Sequence, residues 1–225
     1  MLFRSKDGTI EIARQWGARV INHDWPGFAA QKNVAAQQAR HEWILSVDAD
    51  ERVSPRLRES LIAAMKSPNH DAFEMARLSS FLGRWIHHSG WYPDRKTRLY
   101  RKSRARWDEA QIHERVVVDG SVGRLEGDLI HYPYRDLAHN VETLNKYSTL
   151  YAESKAVRGR RVRWYNLVLE PPLIFLKIYF IRAGFLDGWP GWVIAANTAM
   201  NVFIKHAKRY ELQRSNPTGR LESTG

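Results

Sequence analysis

Trp43-Ile44-Leu45-Ser46-Val47-Asp48-Ala49-Asp50-Glu51 is a short apolar run that ends abruptly in carboxylates. Its apolar centre, Trp43-Ile44-Leu45, predicts a buried strand over Glu42 to Val47. Strand ends are where ligands bind in open α/β sheets. Two aspartates two residues apart at such an edge can project toward one ligand. Their hard oxygens suit Mg²⁺ or Mn²⁺, which commonly share their coordination between one or two carboxylates and substrate phosphates. The chemistry this favours is departure of a phosphorylated group, with a cation neutralising the charge that builds on it. The plainer alternative is an acidic turn that stabilises the N-terminus of the next helix.

Upstream, Asp7 to Trp16 predicts a helix closed by Gly17, followed by a short strand at Ala18 to Ile21. The Trp25-Pro26-Gly27 loop leads to an alanine-rich helix over Ala29 to Ala39. Downstream, Ser54 and Pro55 supply an N-cap and a first helical residue for a helix reaching about Lys66. This helix–strand–helix–strand–helix order predicts a parallel, doubly wound sheet. Ala72 to Leu78, Thr97 to Arg101, Val116 to Val118 and Val122 to His131 then predict an added, more antiparallel half. From Asp136 the chain reads as helical. A helix over Leu137 to Val157 presents Leu144, Tyr147, Leu150 and Tyr151 on one side. Two apolar helices follow, Tyr165 to Ala183 and Trp189 to Tyr210. The expected organisation is an α/β domain over residues 1–135, a helical extension over 136–213 and a disordered tail over 214–225.

The 225 residues are 44% hydrophobic and 26% charged, which fits an ordered domain. There is no cysteine, so disulfides, cysteine zinc sites and thiol nucleophiles are excluded. The net charge of +11 calls for a polyanionic partner: nucleic acid, an anionic membrane surface or a phosphorylated substrate. The basic residues are scattered and no nucleic-acid motif is present, which argues against the first. No apolar stretch reaches the ~20 residues of a membrane span without charge or proline. Tryptophans and basic clusters (Arg158, Arg160, Arg161 and Arg163 before the late helices, Lys205, Lys208 and Arg209 after them) instead suit peripheral attachment to an anionic surface. A helical hairpin packed on the main domain, or a dimer interface, is the alternative.

Several segments taken together resemble glycosyltransferase family 2, in the branch of lipopolysaccharide-core β-glucosyltransferases. They are Lys6-Asp7-Gly8-Thr9, Gln31-Lys32-Asn33, Trp43 to Val53, Gly90-Trp91-Tyr92-Pro93-Asp94, Arg98-Leu99-Tyr100-Arg101, Ile112-His113-Glu114-Arg115-Val116, Gly127 to Tyr132, Leu144 to Ser148 and Gly184 to Gly188. The resemblance implies a GT-A-type, Rossmann-like mixed sheet covered by helices, with a C-terminal helical extension. It implies an inverting enzyme that moves a hexose, glucose in this branch, from a UDP-sugar to a glycolipid or lipopolysaccharide-core acceptor on the inner face of the cytoplasmic membrane. It also implies roles. Asp50 and His131 would bind the divalent cation. Asp48, Lys32 and Asn33 would lie at the donor. Glu114 would be the general base, and Trp91, Asp94 and Arg98 would contact acceptor or phosphate. Each has a structural alternative: Glu114 as an ion pair with Arg115, His131 as a strand histidine, Lys32 as a solvated helix residue, Arg98 as a surface cation. The family's Ser-x-Asp-Gly-Thr segment stands here at Ser5 to Thr9, so the β-α-β unit that precedes it in the family is expected to be missing. A truncated, non-catalytic remnant acting at a membrane is therefore the competing reading, with a nucleic-acid-binding protein behind it.

Overall fold

The computed structural model describes residues 8–108, 115–156 and 161–215. In chain order the elements are α1 (Thr9–Gln15), α2 (Phe28–Gln37), β1 (Trp43–Leu45), β2 (Glu51–Val53), α3 (Pro55–Lys66), β3 (Ala72–Phe81), β4 (Arg84–Trp85), β5 (Asp94–Arg101), β6 (Ala105–Trp107), β7 (Val116–Val118) and β8 (Val122–His131). Then come α4 (Leu137–Ala156), α5 (Trp164–Val168), α6 (Glu170–Leu176), a π-helical turn (Lys177–Ile181), a 3₁₀ turn (Gly184–Asp187) and α7 (Trp189–Ser215). The main sheet is mixed, with strand order β1-β5-β3-β8-β2; β4 pairs with β3, and β6 and β7 form a separate ribbon.

The expected α/β class and helix-covered mixed sheet are present, but the doubly wound parallel start is not. β1 pairs antiparallel with β5, Ile44 opposite Tyr100, so its neighbour comes from the second half of the sequence. Helix–strand alternation cannot reveal that pairing. Ala18 to Ile21 forms no strand. The long apolar helix expected over Tyr165 to Ala183 is broken into α5, α6 and the π-helical turn. Pro171 and Pro172 lie in the first turn of α6, where proline is tolerated, and the preceding turn cannot continue through them. α7 runs to Ser215, two residues into the segment expected to be a tail; the rest of that tail lies outside the described residues.

The chain divides into two compact units, residues 1–76 with 95–129, and residues 77–94 with 130–225. In the first, Leu57, Phe73, Met75, Leu99, Leu125 and Leu129 form one core, and Ala29, Ala72, Tyr100 and Trp107 a second. Ser54 caps α3 by accepting from Leu57 N at 3.3 Å, and Asp128 N donates to the same hydroxyl at 3.2 Å. One serine thus ties the helix start to β8. In the second unit, Phe81, Ile86, Val193 and Ile194 are buried together. α7 packs against α4 and α6. The buried face of α4 carries Asn140, Ser148 and Ala152, while Tyr147 and Leu150 of the expected apolar side are exposed. Asn140 faces α7 because it pairs with Asn197 at 2.8 Å, a polar contact that an apolar-periodicity reading passes over.

The turn before α7 is packed backbone against backbone. A methyl group added at Gly191 would lie 1.9 Å from the carbonyl oxygen of Gly184 and 3.0 Å from Asp187 Cβ. Gly191→Ala should therefore destabilise the protein by roughly 1–3 kcal/mol through overpacking, read as a lower urea midpoint with an unchanged slope.

Candidate functional site

The carboxylate turn closes on itself. Glu51 N donates to Asp48 O at 3.0 Å, and Asp48 N donates back to Glu51 Oε2 at 2.9 Å. Glu51 has a fully buried side chain in β2, and Arg98 of β5 reaches it: one guanidinium nitrogen stands 2.6 Å from Glu51 Oε1 and 2.6 Å from Asp48 Oδ2. Arg98 itself is 3% exposed. A cation so deeply buried needs paired carboxylates, since burying it alone would cost several kcal/mol. The expectation that Arg98 contacts acceptor or phosphate therefore meets a different geometry, in which it is the internal counter-ion of the turn.

From the other side, Lys32 of α2 places Nζ 3.1 Å from Asp48 Oδ1. The same ammonium lies 4.2 Å from the centre of the Trp107 ring, and the Arg98 guanidinium 5.5 Å from it. Trp107 is a buried aromatic shelf under both cations. Asn33, next to Lys32, holds that shelf in place. Its Nδ2 donates to Trp107 O at 3.0 Å and its Oδ1 accepts from Trp107 N at 2.8 Å, while Trp107 Nε1 donates to the Tyr100 hydroxyl. Lys32 thus reaches the carboxylate turn, and Asn33 serves to fix the residue beneath it.

Burial disfavours charge on Asp48, but Arg98 and then Lys32 outweigh it and hold the carboxyl below the ordinary aspartate range. Asp48 is therefore an anion at neutral pH with both oxygens engaged. Asp50 sits on the exposed part of the turn. Among the described residues, no group of three or more His, Asp or Glu residues is arranged to hold a metal ion. Glu114 and its neighbour His113 lie outside the described residues.

The remaining expected residues belong to the second unit. His131 ends β8, with Nδ1 2.9 Å from Ser79 Oγ. Trp91 packs against Phe81 and Tyr134 at centroid distances of 5.5 and 6.5 Å. Asp94 receives Nε and Nη2 of Arg77 on one carboxylate oxygen, at 3.0 and 2.5 Å. There it pairs that arginine.

Three residues gained no assigned role from the sequence: Glu51, Trp107 and Asp187. Asp187 is 2% exposed and accepts from His87 N at 3.0 Å, His88 N at 3.1 Å and Ser89 Oγ at 2.7 Å, with His88 Nδ1 at 3.2 Å. It moors the 87–89 loop that leads into Trp91. The signal was an acidic residue between two glycines inside an apolar stretch, Gly184-Phe185-Leu186-Asp187-Gly188. For Glu51 and Arg98 the signal was a charge beside buried strand residues, Arg98 directly before Leu99-Tyr100.

Two outcomes follow from this geometry. Arg98→Met should cost about 3–5 kcal/mol, because it leaves the Glu51 carboxylate buried without its counter-ion; chemical denaturation reads this directly. A carboxyl whose folded pKa is lowered adds stability at neutral pH, and that stability drains away as pH falls from the ordinary carboxylate range through the folded value. Stability of Asp48→Asn should accordingly fall less than that of the wild type over this acid range, measured as denaturation midpoints against pH.

Residues 4–124 match the model of Glycosyl transferase family 2. The lipopolysaccharide core biosynthesis glycosyltransferase LpsC of Rhizobium meliloti is 32% identical over 223 residues, covering 90% of this chain and 81% of that protein. The uncharacterized glycosyltransferase RP128 of Rickettsia prowazekii is 30% identical over 220 residues, covering 92% of this chain and 75% of that one. At greater distance, the crystal structure of S. aureus TarS 1-349 in complex with UDP-GlcNAc matches 97% of this chain and 82% of its own, with TM-score 0.41 and 14% identity. With a family model spanning more than half the chain and a relative above 30% identity along most of its length, this chain belongs to glycosyltransferase family 2 and is a glycosyltransferase.

Proposed function

We propose that this chain moves a hexose, glucose by its resemblance, from a UDP-sugar to a glycolipid or lipopolysaccharide-core acceptor, with inversion at the anomeric carbon. The observation that carries the reading is the braced turn at Asp48 to Glu51, which holds one ionised carboxylate between Lys32 and Arg98 and leaves Asp50 exposed beside it. The role named for the Rhizobium meliloti relative, lipopolysaccharide core biosynthesis, supports the acceptor class.

Asp50 fits a divalent cation by the chemistry of its donor atoms. It offers hard carboxylate oxygens on an exposed turn, and Mg²⁺ or Mn²⁺ is commonly held by one or two carboxylates together with substrate phosphates. The resemblance adds His131 as a second ligand. Such a cation, when bound, supplies positive charge to the departing diphosphate. The protein's own groups do the rest. Asp48 stays ionised and oriented by its two cationic neighbours. Lys32, anchored over the Trp107 ring, offers an ammonium at the edge of the same turn. Glu114, by resemblance, takes the proton of the acceptor hydroxyl on the face opposite the leaving group. Trp91 and Asp94 contribute the acceptor side.

Attachment to the inner face of the cytoplasmic membrane is part of the proposal. No helix among the described residues is long and apolar enough to cross a membrane. The segment from α5 to the start of α7 nevertheless exposes large apolar side chains: Leu173 at 61%, Phe180 at 57%, Ile181 at 79% and Trp189 at 69%. The charges around them are one-sided. Arg161, Arg163, Lys177 and Arg182 are exposed, whereas Asp187 is buried and Glu170 lies 3.1 Å from His206. Apolar side chains framed by cations are suited to an anionic lipid surface.

The test is a calorimetric titration of UDP with and without Mn²⁺, together with sugar transfer to a lipopolysaccharide-core acceptor. Asp50→Ala should abolish the metal-dependent part of UDP binding and lower transfer by at least about 100-fold, a loss on the order of 3 kcal/mol in transition-state stabilisation. Metal-dependent UDP binding and transfer that survive in Asp50→Ala would refute the role given to the turn.

A further inference from the structure

In the second unit, a cavity of about 570 Å³ is lined by Arg161, Arg163, Tyr165, Asn166 and Arg209, none of which is assigned to transfer. Three of its five lining residues are guanidinium cations and none is a carboxylate. Among the described residues, none of the three arginines forms an ion pair. Arg209 is the decisive one. It is 9% exposed, it projects from α7 into the cavity, and its buried Nε has no hydrogen-bond partner. A buried donor without an acceptor is costly, and more so on a charged group.

Local backbone geometry aims the other two. Arg163 is extended, with φ −112° and ψ 160°. Residues two apart on extended chain point to the same side, so Arg161 and Arg163 share a face and Val162 takes the other. Val162 N donates to Gln213 Oε1 of α7 at 3.0 Å, which fastens this strand-like entry to the helix that carries Arg209. Asn166 is already engaged: Oδ1 accepts from Arg163 N at 3.1 Å and Nδ2 donates to Glu170 Oε2 at 3.2 Å. Three guanidinium groups without a carboxylate partner suit an acceptor that brings several oxygens and a negative charge.

We infer that this cavity is a binding site for a phosphoryl group. Guanidinium forks match phosphate oxygens in geometry and charge. The volume falls in the range of small-molecule sites, ~300–1,000 Å³, so the phosphate arrives as part of a larger molecule. Trp164 and Val168, on the same short helix as Tyr165, are 67% and 61% exposed, which gives the cavity an apolar border. A phosphate carried on an amphiphile fits both parts. The ligand can be a lipid headgroup in a bilayer or a free phosphorylated compound, and these share the recognition chemistry. The inference does not rest on the transferase reading, because it is tested by binding alone.

The experiment uses the full chain. Binding is measured to phosphatidylcholine vesicles with and without about one-fifth phosphatidic acid, and, in parallel, to glycerol 3-phosphate and inorganic phosphate in solution. The wild type should bind the phosphatidic acid vesicles and not the neutral ones. Arg209→Gln, and separately the double variant Arg161→Gln with Arg163→Gln, should each weaken that binding by at least about tenfold. The double variant touches only exposed side chains, so its fold is expected to survive, and thermal melting checks both. Equal loss for glycerol 3-phosphate, at comparable affinity, would identify a soluble phosphorylated ligand as the occupant. Vesicle binding untouched by either variant, with no binding of the soluble phosphates, would assign attachment to the apolar face alone and overturn the phosphate site. Binding of no phosphate probe by the wild type would overturn it as well.

Discussion

One buried guanidinium holds the carboxylate turn of the first unit together. Arg98 comes from β5, Glu51 from β2 and Asp48 from the turn after β1, and the three meet at 2.6 Å. β1 and β2 stand at opposite ends of the sheet order, so no direct strand pairing joins them. The ion network supplies the link that the ladder does not. Its electrostatic cost is offset by having two carboxylates for one cation and by the Trp107 ring beside the guanidinium. The surplus negative charge is then met by Lys32 from outside. A site built this way keeps a carboxylate ionised and stationary before any ligand arrives, which is the kind of pre-organisation that favours charge-stabilising chemistry.

Much of this was legible in the sequence, for a physical reason. Short-range signals (the Ser54-Pro55 helix start, the strands Val116–Val118 and Val122–His131) are set by propensity and capping and appear where they were expected, whereas the run before Asp48 forms a strand only over Trp43–Leu45 and leaves Leu45 and Val47 exposed rather than buried. What was not legible is pairing between distant segments. The union of β1 with β5 depends on a partner more than fifty residues away. The same is true of Arg98, whose neighbourhood in sequence reads as a basic surface, Arg95-Lys96-Thr97-Arg98, while its position in β5 turns it inward. Asn33 shows a third case: the resemblance places it at the donor, and no local signal shows that its amide also clamps the Trp107 backbone. The break at Pro171 and Pro172 is carried by the prolines themselves, against an apolar pattern that runs on through them.

The second unit follows a different logic. Its polar interior is organised around single residues that collect many donors or acceptors. Asp187 gathers the 87–89 loop, and Lys208 Nζ reaches Asn145 O, Asn145 Oδ1, Ser148 Oγ and Thr149 Oγ1 at 2.7–2.9 Å. Each fixes two elements without needing a large apolar contact. That economy leaves apolar side chains and arginines of the same unit pointing outward, available for a partner.

The contact between Gly184 and Gly191 has a consequence for how this sequence can vary. With a carbonyl 1.9 Å from where any Cβ would stand, any side chain at position 191 requires the backbone to shift. Asp187 lies between the two glycines and is itself sealed from solvent. The eight residues from 184 to 191 therefore behave as a single allele-like block, in which drift at Gly191 needs backbone relocation rather than a compensating side chain. The exposed Phe185, Leu186 and Trp189 within that block carry no such internal restriction. Substitutions accumulating there, against a silent Gly191, would mark a surface adapting to what it touches.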